Sequence, residues 1–354
     1  MLKKQKTETA PGNVINITKK STSNKSVAKE LLGKYGIVLV LVLMVIMMSF
    51  LSPVFLTSKN LFNVVRQISV IGLISLGVTL VIISKGIDLS SGSILAVAAV
   101  VAASLGQRGD WQAKMFPNLP EMNVIVPIVA ALLVGLIAGI INGTLIAKTG
   151  IPPFIATLGM MVSARGFAQI YSNGRPVSTL TDAYQWFGQE YVFSIGGFRG
   201  IPVPVIIYII MVIFTFVMLN HTRFGKNIFA IGGNVHAAEV SGINVDRNLI
   251  KIYAYAGLLA GLAGFVLSAR VNTGQPGMGV SYELDAIAAT TIGGTSHSGG
   301  IGTIWGAVVG ALILGILNNG LNLLGVSGYY QQVLKGVIIV GAVVIDMRKN
   351  KKKK

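Results

Sequence analysis

The chain lacks cysteine and has few charged residues. None of its 354 residues is cysteine, which excludes disulfides, thiolate metal sites and thiol redox chemistry. Charged residues make up only 12% of the chain and hydrophobic residues 53%, whereas a soluble domain typically carries about 25% charged residues. Several apolar runs approach the roughly 20 residues that cross a bilayer as a helix. The composition therefore predicts an all-α, polytopic helical membrane protein.

Motifs of common hydrolases and metal sites are also missing. The chain contains no Gly-x-x-x-x-Gly-Lys-Ser/Thr phosphate loop, no Gly-x-Ser-x-Gly nucleophile turn and no His-Glu-x-x-His helix. His297 has no carboxylate or second histidine at ligand spacing, so we expect a hydrogen-bonded or solvent-facing ring. We expect no catalytic residue, no metal and no cofactor in this chain, and no ATP hydrolysis by the chain alone.

Positive charge is concentrated at the two ends of the chain. The formal net charge is +17, and most of the excess precedes the first apolar run or follows the last. Basic residues beside spans mark the cytoplasmic side and attract anionic lipid, which disfavours nucleic-acid binding. We therefore predict a basic polar cytoplasmic arm at residues 1–35, a transmembrane domain at 36–346 and a Lys-rich cytoplasmic tail at 347–354. The protein would be multi-pass in the cell (inner) membrane.

Hydropathy predicts ten crossings of the membrane, the eighth of them broken by glycine. An even number places both basic ends on the same side. The charge-balanced loops at residues 106–123 and 172–200 are predicted outside, as is the segment 268–285. The predicted spans cover residues 36–55, 64–83, 89–105, 124–147, 154–171, 201–219, 249–267, 286–300, 301–324 and 330–346.

Two Gly/Ser-rich breaks run into apolar helices rich in small residues. They are GIDLSSGSILAVAAV at residues 86–100 and GGTSHSGGIGTIWGAVVGA at residues 293–311. Duplicated halves with broken helices at matching positions are common in transporters and point to the transport path. On this interpretation the two breaks are related by duplication, and four residues become candidates to line a path: Ser90, Gly92, Thr295 and Ser296.

Two polar residues within apolar runs have alternative interpretations. Asp88 could cap the following helix by accepting from amides near Ser90 or Ser91, or line the path, since an intramembrane carboxylate is costly. Arg165, with Gln169 one turn later, must face the protein interior or a wet cavity. Its favoured role is an ion pair with a carboxylate such as Asp88, and the alternative is contact with hydroxyl groups of a transported solute. Thr157 could contribute to either role.

A motif near the eighth span carries the remaining acidic residues. In SYELDAIAA, Tyr282, Glu283 and Asp285 are predicted at the outer edge of the membrane, as an interface anchor or a contact for an external protein. The many glycines and alanines nearby, as in GLLAGLAGF, are predicted to allow close helix packing.

The longest polar stretch between apolar runs in the second half is residues 222–248. It is flanked by basic residues, which predicts a cytoplasmic loop. Within it Asn234 can cap a short helix, and Gly242 can end that helix. Three small residues at helical spacing would let another protein approach this helix closely: Ala237, Ala238 and Ser241.

These motifs resemble one family, the sugar-importing ABC permeases of the ribose and galactose branch. The residues 222–245 meet every fixed position of the family pattern TRxGxxIxAxGGNxxAAxxSGIxV, which docks the permease on a separate ATPase. GIDLSSGS, TLGMM followed by Ala164-Arg165-Gly166, SYELDAIAATTIGGTS and GALILGILNNGLNLLGVSGYYQQVLKG also match. The resemblance implies that ATPase coupling involves Gly232, Gly233, Asn234, Ala237, Ala238, Ser241 and Gly242.

The resemblance also implies a function and partners. The chain would be the permease subunit of an ATP-driven monosaccharide importer, present as a homodimer. An ABC ATPase would hold ATP and Mg, and an extracytoplasmic sugar-binding protein would deliver ribose, galactose or a methyl-galactoside. An ion-coupled secondary sugar transporter is the alternative, because it would share the duplicated halves and broken helices.

Overall fold

The computed structural model describes residues 24–194, 196 and 200–351, and within them the chain forms thirteen α-helices and four two-residue strands. The helices are α1 (Asn24–Leu51), α2 (Ser58–Ile83), α3 (Ser91–Leu105), α4 (Ile125–Thr149), α5 (Pro153–Ser172), α6 (Asp182–Gln189), α7 (Val203–His221), α8 (Arg223–Gly233), α9 (Val235–Val240), α10 (Val245–Val271), α11 (Tyr282–Ile292), α12 (Ile304–Leu323) and α13 (Gly328–Lys351). The strands are β1 (Val177–Ser178), β2 (Tyr191–Val192), β3 (Ile201–Pro202) and β4 (Thr273–Gly274), and they pair antiparallel as β1 with β4 and β2 with β3. The predicted all-α class is confirmed.

Every predicted span overlaps a helix, namely α1–α5, α7 and α10–α13, although α11 ends at Ile292 and the second half of the predicted eighth span is loop. Among the described helices, six are long and apolar enough to cross a membrane: α2, α4, α7, α10, α12 and α13. The other four are shorter or more polar. Residues 1–23 of the predicted basic arm and residues 352–354 of the tail lie outside the described residues.

The helices α2 and α10 form the centre of the fold and are buried along most of their length. Their contacts show that they run antiparallel. Gly77 of α2 lies against Ala256, and Gly86, which follows α2, lies against Tyr253, an earlier residue of α10. By contrast α13 exposes a row of apolar side chains, including Val333, Val337 and Val340. Such a face suits lipid or another protein rather than water.

Two groups of helices repeat one packing pattern. In the first group α3 packs against α4, α5 and α10, and in the second α11 packs against α12, α13 and α2. The pattern relates α2–α5 to α10–α13 in the same order along the chain. The two groups point in opposite directions, because α2 and α10 are antiparallel. The predicted pairing of the two Gly/Ser-rich breaks is therefore wrong. The counterpart of the break before α3 is residues 272–281, before α11, because position in the packing rather than glycine content defines the repeat.

Glycines bring α4 and α10 into backbone contact, as the sequence predicts. A Cβ added at Gly139 would lie 2.9 Å from the Ala254 Cα, and one added at Gly143 would lie 2.6 Å from the Ile250 Cα. Real Cβ atoms hardly ever approach other atoms so closely. Small residues at helix interfaces allow this approach in membrane proteins, where packing rather than water exclusion drives association.

We predict that Gly139→Ala destabilises the protein. The added methyl group must push α4 away from α10, and overpacking of this kind costs roughly 1–3 kcal/mol. Thermal unfolding of the purified protein in mild detergent should show a lower midpoint. The matched control is Gly159→Ala in α5, where a Cβ meets nothing within 4 Å. Equal midpoints for the two variants would contradict the packing described here.

Candidate functional site

The break between α2 and α3 is a buried polar turn centred on Asp88. The Ser90 amide and hydroxyl donate to Asp88 Oδ1 over 2.8 and 2.6 Å, and Asn142 Nδ2 of α4 donates to Ser90 Oγ over 2.8 Å. Asp88 and Ser90 are both buried. The predicted hydrogen bond from the Ser90 amide to Asp88 is confirmed, and the carboxylate holds the turn before α3.

Two further helices hold the same turn by one carbonyl oxygen. The Thr157 hydroxyl of α5 and the Tyr253 hydroxyl of α10 each donate to Ile87 O over 3.3 Å. The Thr157 hydroxyl also donates to Pro153 O over 2.9 Å. Thr157 is fully buried, so its contacts are with the break rather than with an open surface.

The amino-terminal ends of α3 and α11 meet at Gly92 and Glu283. A Cβ added at Gly92 would overlap Glu283 Oε2 and the Gly279 carbonyl oxygen. Only a residue without a side chain therefore fits at this position of α3. The packing pattern makes Gly92 and Glu283 counterparts, since each is the second residue of its short helix.

The predicted placement of Glu283 and Asp285 at a solvated outer edge is wrong. Their exposed fractions are 9% and 3%. The reason is that residues 275–281 fold back from the pair β1–β4 to the start of α3, which carries the beginning of α11 into the interior. There Lys335 Nζ of α13 donates to Asp285 Oδ2 over 2.9 Å. Paired and hydrogen-bonded carboxylates are the form in which acids occur inside membrane proteins.

Arg165 holds the folded-back segment. Its Nη1 donates to the carbonyl oxygens of Pro276 and Met278 over 2.7 and 2.6 Å. The predicted ion pair with Asp88 is therefore wrong, because residues 275–281 lie against α5 and their backbone carbonyl oxygens accept the hydrogen bonds of Arg165. The structural role that we favoured for Arg165 remains, with different partners.

Arg165 and Gln169 also line a cavity of about 490 Å³ that opens on the surface of the chain. Its wall combines polar groups with short apolar stretches. The lining residues are Ser93, Met161, Val162, Arg165, Gly166, Gln169, Val280, Ser281 and Glu283. An intramembrane cation faces either the protein interior or a cavity that water can enter, and Arg165 has contacts with both the protein and this open cavity.

One oxygen on the wall of this cavity is buried without a hydrogen-bond partner among the described residues. It is Glu283 Oε2, and Ser91 Oγ and Asn142 Oδ1 are two further such atoms in α3 and α4. Buried polar atoms are usually satisfied, so an exception on a cavity wall marks a place where water or a polar ligand fits. Glu283 lies at the meeting point of α3 and α11.

Thr295 and Ser296 do not line this cavity. They lie in the loop between α11 and α12, where Ser296 Oγ and the His297 amide donate to Asp346 Oδ2 of α13 over 3.0 and 3.1 Å. The expected hydrogen bond of His297 is present, since Nε2 lies 2.8 Å from Thr291 Oγ1. No cluster of three potential metal ligands occurs among the described residues.

The polar segment 222–248 folds into two helices. Thr222 caps α8, with the Gly225 amide donating to Thr222 Oγ1 over 3.2 Å, and Asn234 caps α9, with the Ala237 amide donating to Asn234 Oδ1 over 3.0 Å. Gly242 has a φ of 81° and follows the end of α9. The cap at Asn234 and the stop at Gly242 agree with the sequence. The sequence reasoning missed α8, although Phe224, Ile228 and Ile231 mark an apolar helical face.

Two of the residues assigned to coupling face inward. Ala238 is 3% exposed and packs against Ile231 and Val245, and Gly232 is buried at the end of α8. The predicted exposed face of small residues is therefore wrong at Ala238, because α9 needs one side to pack on α8 and α10. The five residues on the surface are Gly233, Asn234, Ala237, Ser241 and Gly242.

Comparison with known proteins places the chain in a family of membrane permeases. Residues 60–343 match the family of branched-chain amino acid transport system permease components. The ribose import permease protein of Escherichia coli K12 is 46% identical over 313 residues, which cover 87% of this chain and 92% of the relative. The ribose import permease protein of Bacillus subtilis 168 is 44% identical over 319 residues, covering 90% and 94%.

A relative named for another sugar is similar over more of the chain. The galactose/methyl galactoside import permease protein of Escherichia coli K12 is 41% identical over 337 residues, which cover 94% of this chain and all of the relative. No solved structure matches the chain. The protein belongs to this permease family, and the prediction of a multi-pass helical membrane protein is confirmed.

We predict that Arg165→Ala lowers thermal stability while Gln169→Ala does not. The first substitution removes two charge-assisted hydrogen bonds, each worth roughly 1.5–3 kcal/mol when buried and less beside a wet cavity. Gln169 lies one turn away on the exposed wall of the same cavity and serves as the control. Unfolding midpoints in detergent measure the difference, and an unchanged midpoint for Arg165→Ala would rule out the structural role.

Proposed function

We propose that this chain is the permease subunit of an ATP-driven importer that moves a monosaccharide of the ribose or galactose type into the cytoplasm. The observation that carries the proposal is a cavity among membrane-spanning helices, with Arg165, Gln169 and Glu283 on a mostly apolar wall, in a chain whose relatives are named as ribose and galactose import permeases. We propose alternating access as the mechanism, with the broken helices moving between two arrangements.

The cavity has the chemistry to pass a sugar without holding it tightly. The two hydrogen bonds from Arg165 use Nη1 only, and a guanidinium has three further N–H donors. Gln169, Ser93 and Glu283 add donors and acceptors for hydroxyl groups. A small number of such groups on one wall favours release, which transport requires.

A second copy of the chain would complete the path. The cavity opens on the surface with Arg165 and Gln169 on its wall, and a charged group in a membrane-spanning helix faces protein or water rather than lipid. We infer a homodimer in which this face of each copy looks towards the other. Exposed apolar residues elsewhere would contact the membrane lipid.

The exposed side of α9 would dock the ATPase. Five surface residues contribute to it: Gly233, Asn234, Ala237, Ser241 and Gly242. ATP and Mg would be held by that separate ATPase, and this chain would not be an enzyme. This docking would put the segment 222–248 and both termini in the cytoplasm. The paired strands β1 and β4 would then lie outside, where a sugar-binding protein would deliver substrate. The membrane would be the cytoplasmic (inner) membrane of the cell.

A second candidate function is an ion-coupled secondary sugar transporter. One observation favours it, the buried Glu283 carboxylate oxygen that has no hydrogen-bond partner among the described residues. Intramembrane acids of this kind occur in proton and sodium relays. Vesicles containing this chain, its ATPase and its binding protein decide between the two. Uptake that persists with ATP after the ion gradients collapse supports the importer, and uptake that stops supports the carrier.

We predict that Ala237→Trp abolishes copurification of the ATPase while Ala237→Ser preserves it. Ala237 is exposed, so the indole fills the docking surface without disturbing the packing of the chain. Substitution of Ala238 would be a poor choice, because its side chain is buried. Affinity purification in mild detergent with quantification of both subunits measures the effect. Normal ATPase recovery with Ala237→Trp would remove α9 from the docking surface.

A further inference from the structure

At Gly232 the end of α8 touches the backbone of two other segments. The Gly300 amide donates to Ile83 O over 2.8 Å, which joins the end of α2 to the loop between α11 and α12. A Cβ added at Gly232 would lie 2.6 Å from the Gly300 nitrogen and closer still to Ile83 O. We name this meeting of Ile83, Gly232 and Gly300 the glycine junction.

The two neighbouring glycines at the end of α8 differ sharply in their surroundings. Gly232 is buried in the glycine junction, whereas a Cβ added at Gly233 would meet nothing within 4 Å. Neither residue has a positive φ, so alanine is conformationally acceptable at both. The space around Gly232, and not its backbone conformation, is what excludes a side chain.

One side of the glycine junction leads to the exposed helix α9. Ala238 of α9 packs against Ile231, the residue before Gly232. Asn234 both ends α8 and caps α9. A displacement of α9 is therefore passed to the end of α8, because little separates the two helices that could absorb it.

The other side of the glycine junction leads to the turn before α3 and to the loop after α11. Ile83 is the last residue of α2, directly before the turn that holds Asp88 at the start of α3. Gly300 belongs to the loop that follows α11, the short helix whose other end meets α3 at Glu283. Backbone contacts cannot yield by changing rotamers as side-chain contacts do, and close-packed interiors transmit strain.

We propose that Gly232 is the positioning residue through which α9 moves the turn before α3 and the loop after α11 together. Movement of the ATPase would shift α9 and the end of α8, and the glycine junction would carry that shift at the same time to the turn at Asp88 and to the loop after α11. This inference rests on the proposed function, since it assumes an ATPase docked on α9. The seven matched motif residues then divide into five that form the docking surface, Ala238, which packs α9 on α8, and Gly232, which transmits the movement.

The first experiment compares Gly232→Ala with Gly159→Ala in proteoliposomes that contain the permease, its ATPase and its binding protein. Gly159 lies in α5, outside the docking surface and the cavity lining, and a Cβ added there meets nothing within 4 Å. Probes are radiolabelled ribose and galactose, and ATP hydrolysis is measured in the same preparation. We expect Gly232→Ala to assemble and hydrolyse ATP while uptake falls roughly tenfold to a hundredfold, within the usual range of coupling between two sites of a protein. Gly159→Ala should match the unsubstituted protein in both measurements.

A second experiment uses the absence of cysteine from the chain. Lys85 Nζ lies 3.4 Å from the Gly233 carbonyl oxygen, so Lys85→Cys with Gly233→Cys can be joined by a short reducible cross-linker. If the glycine junction moves as one body, the cross-link should form with and without ATP, and uptake by this double variant should be the same before and after reduction of the cross-linker. Loss of uptake that returns on reduction would show that the segments move apart, and would overturn the proposal.

The outcomes separate this inference from the function on which it rests. Unchanged uptake by Gly232→Ala would overturn the transmitting role while leaving the importer intact. If Gly232→Ala fails to assemble, the cross-linked protein, which retains Gly232, decides the matter. If the unsubstituted chain binds no ATPase and transports with an ion gradient alone, the proposed function fails, and this inference fails with it.

Discussion

The structure depends on one constraint, which is that polar groups inside a membrane protein must be satisfied by the protein itself or by enclosed water. Asp88, Arg165 and Asp285 lie among membrane-spanning helices and are hydrogen-bonded to other residues. Glu283 lines the cavity, and its Oε2 has no hydrogen-bond partner among the described residues. The short helices α3 and α11 meet at Glu283, so the cavity lies beside the breaks in the helices.

The sequence predicts this molecule well wherever a local pattern decides the structure. Runs of apolar residues gave ten helices, the Asn234 cap lies where predicted, and the glycines of α4 and α10 are in close contact. The partners of Arg165 could not be predicted, because they are backbone carbonyl oxygens brought near by a distant segment. Helix α9 has six residues, too few for amphipathic spacing to show that Ala238 faces inward and Ala237 outward.

Contacts between distant segments also determine the burial of Glu283 and Asp285 and the form of the repeat, and the sequence pattern does not reveal such contacts. Glu283 and Asp285 follow a Gly-rich polar segment that looks like an ordinary surface loop, and only its return to Gly92 buries them. The repeat is carried by the order of helix packing, in which α3 corresponds to α11, and glycine content alone pointed to a different loop. The short helices α3 and α11 are counterparts. A movement that reaches the turn before α3 and the loop after α11 at the same time would therefore change access to the cavity from both sides of the membrane.

The central claim is that the cavity lined by Arg165, Gln169 and Glu283 belongs to the path of the sugar. The most direct measurement is the reaction of Gln169→Cys with a membrane-impermeant thiol reagent, in vesicles containing the complete transporter. Ile170→Cys is the control, because Ile170 is the adjacent residue and is also exposed, with an apolar side chain suited to lipid. The account predicts that Gln169→Cys reacts, that ATP changes its rate and that ribose or galactose slows it, while Ile170→Cys stays unreactive. Equal reactivity at the two positions, indifferent to ATP and sugar, would contradict it.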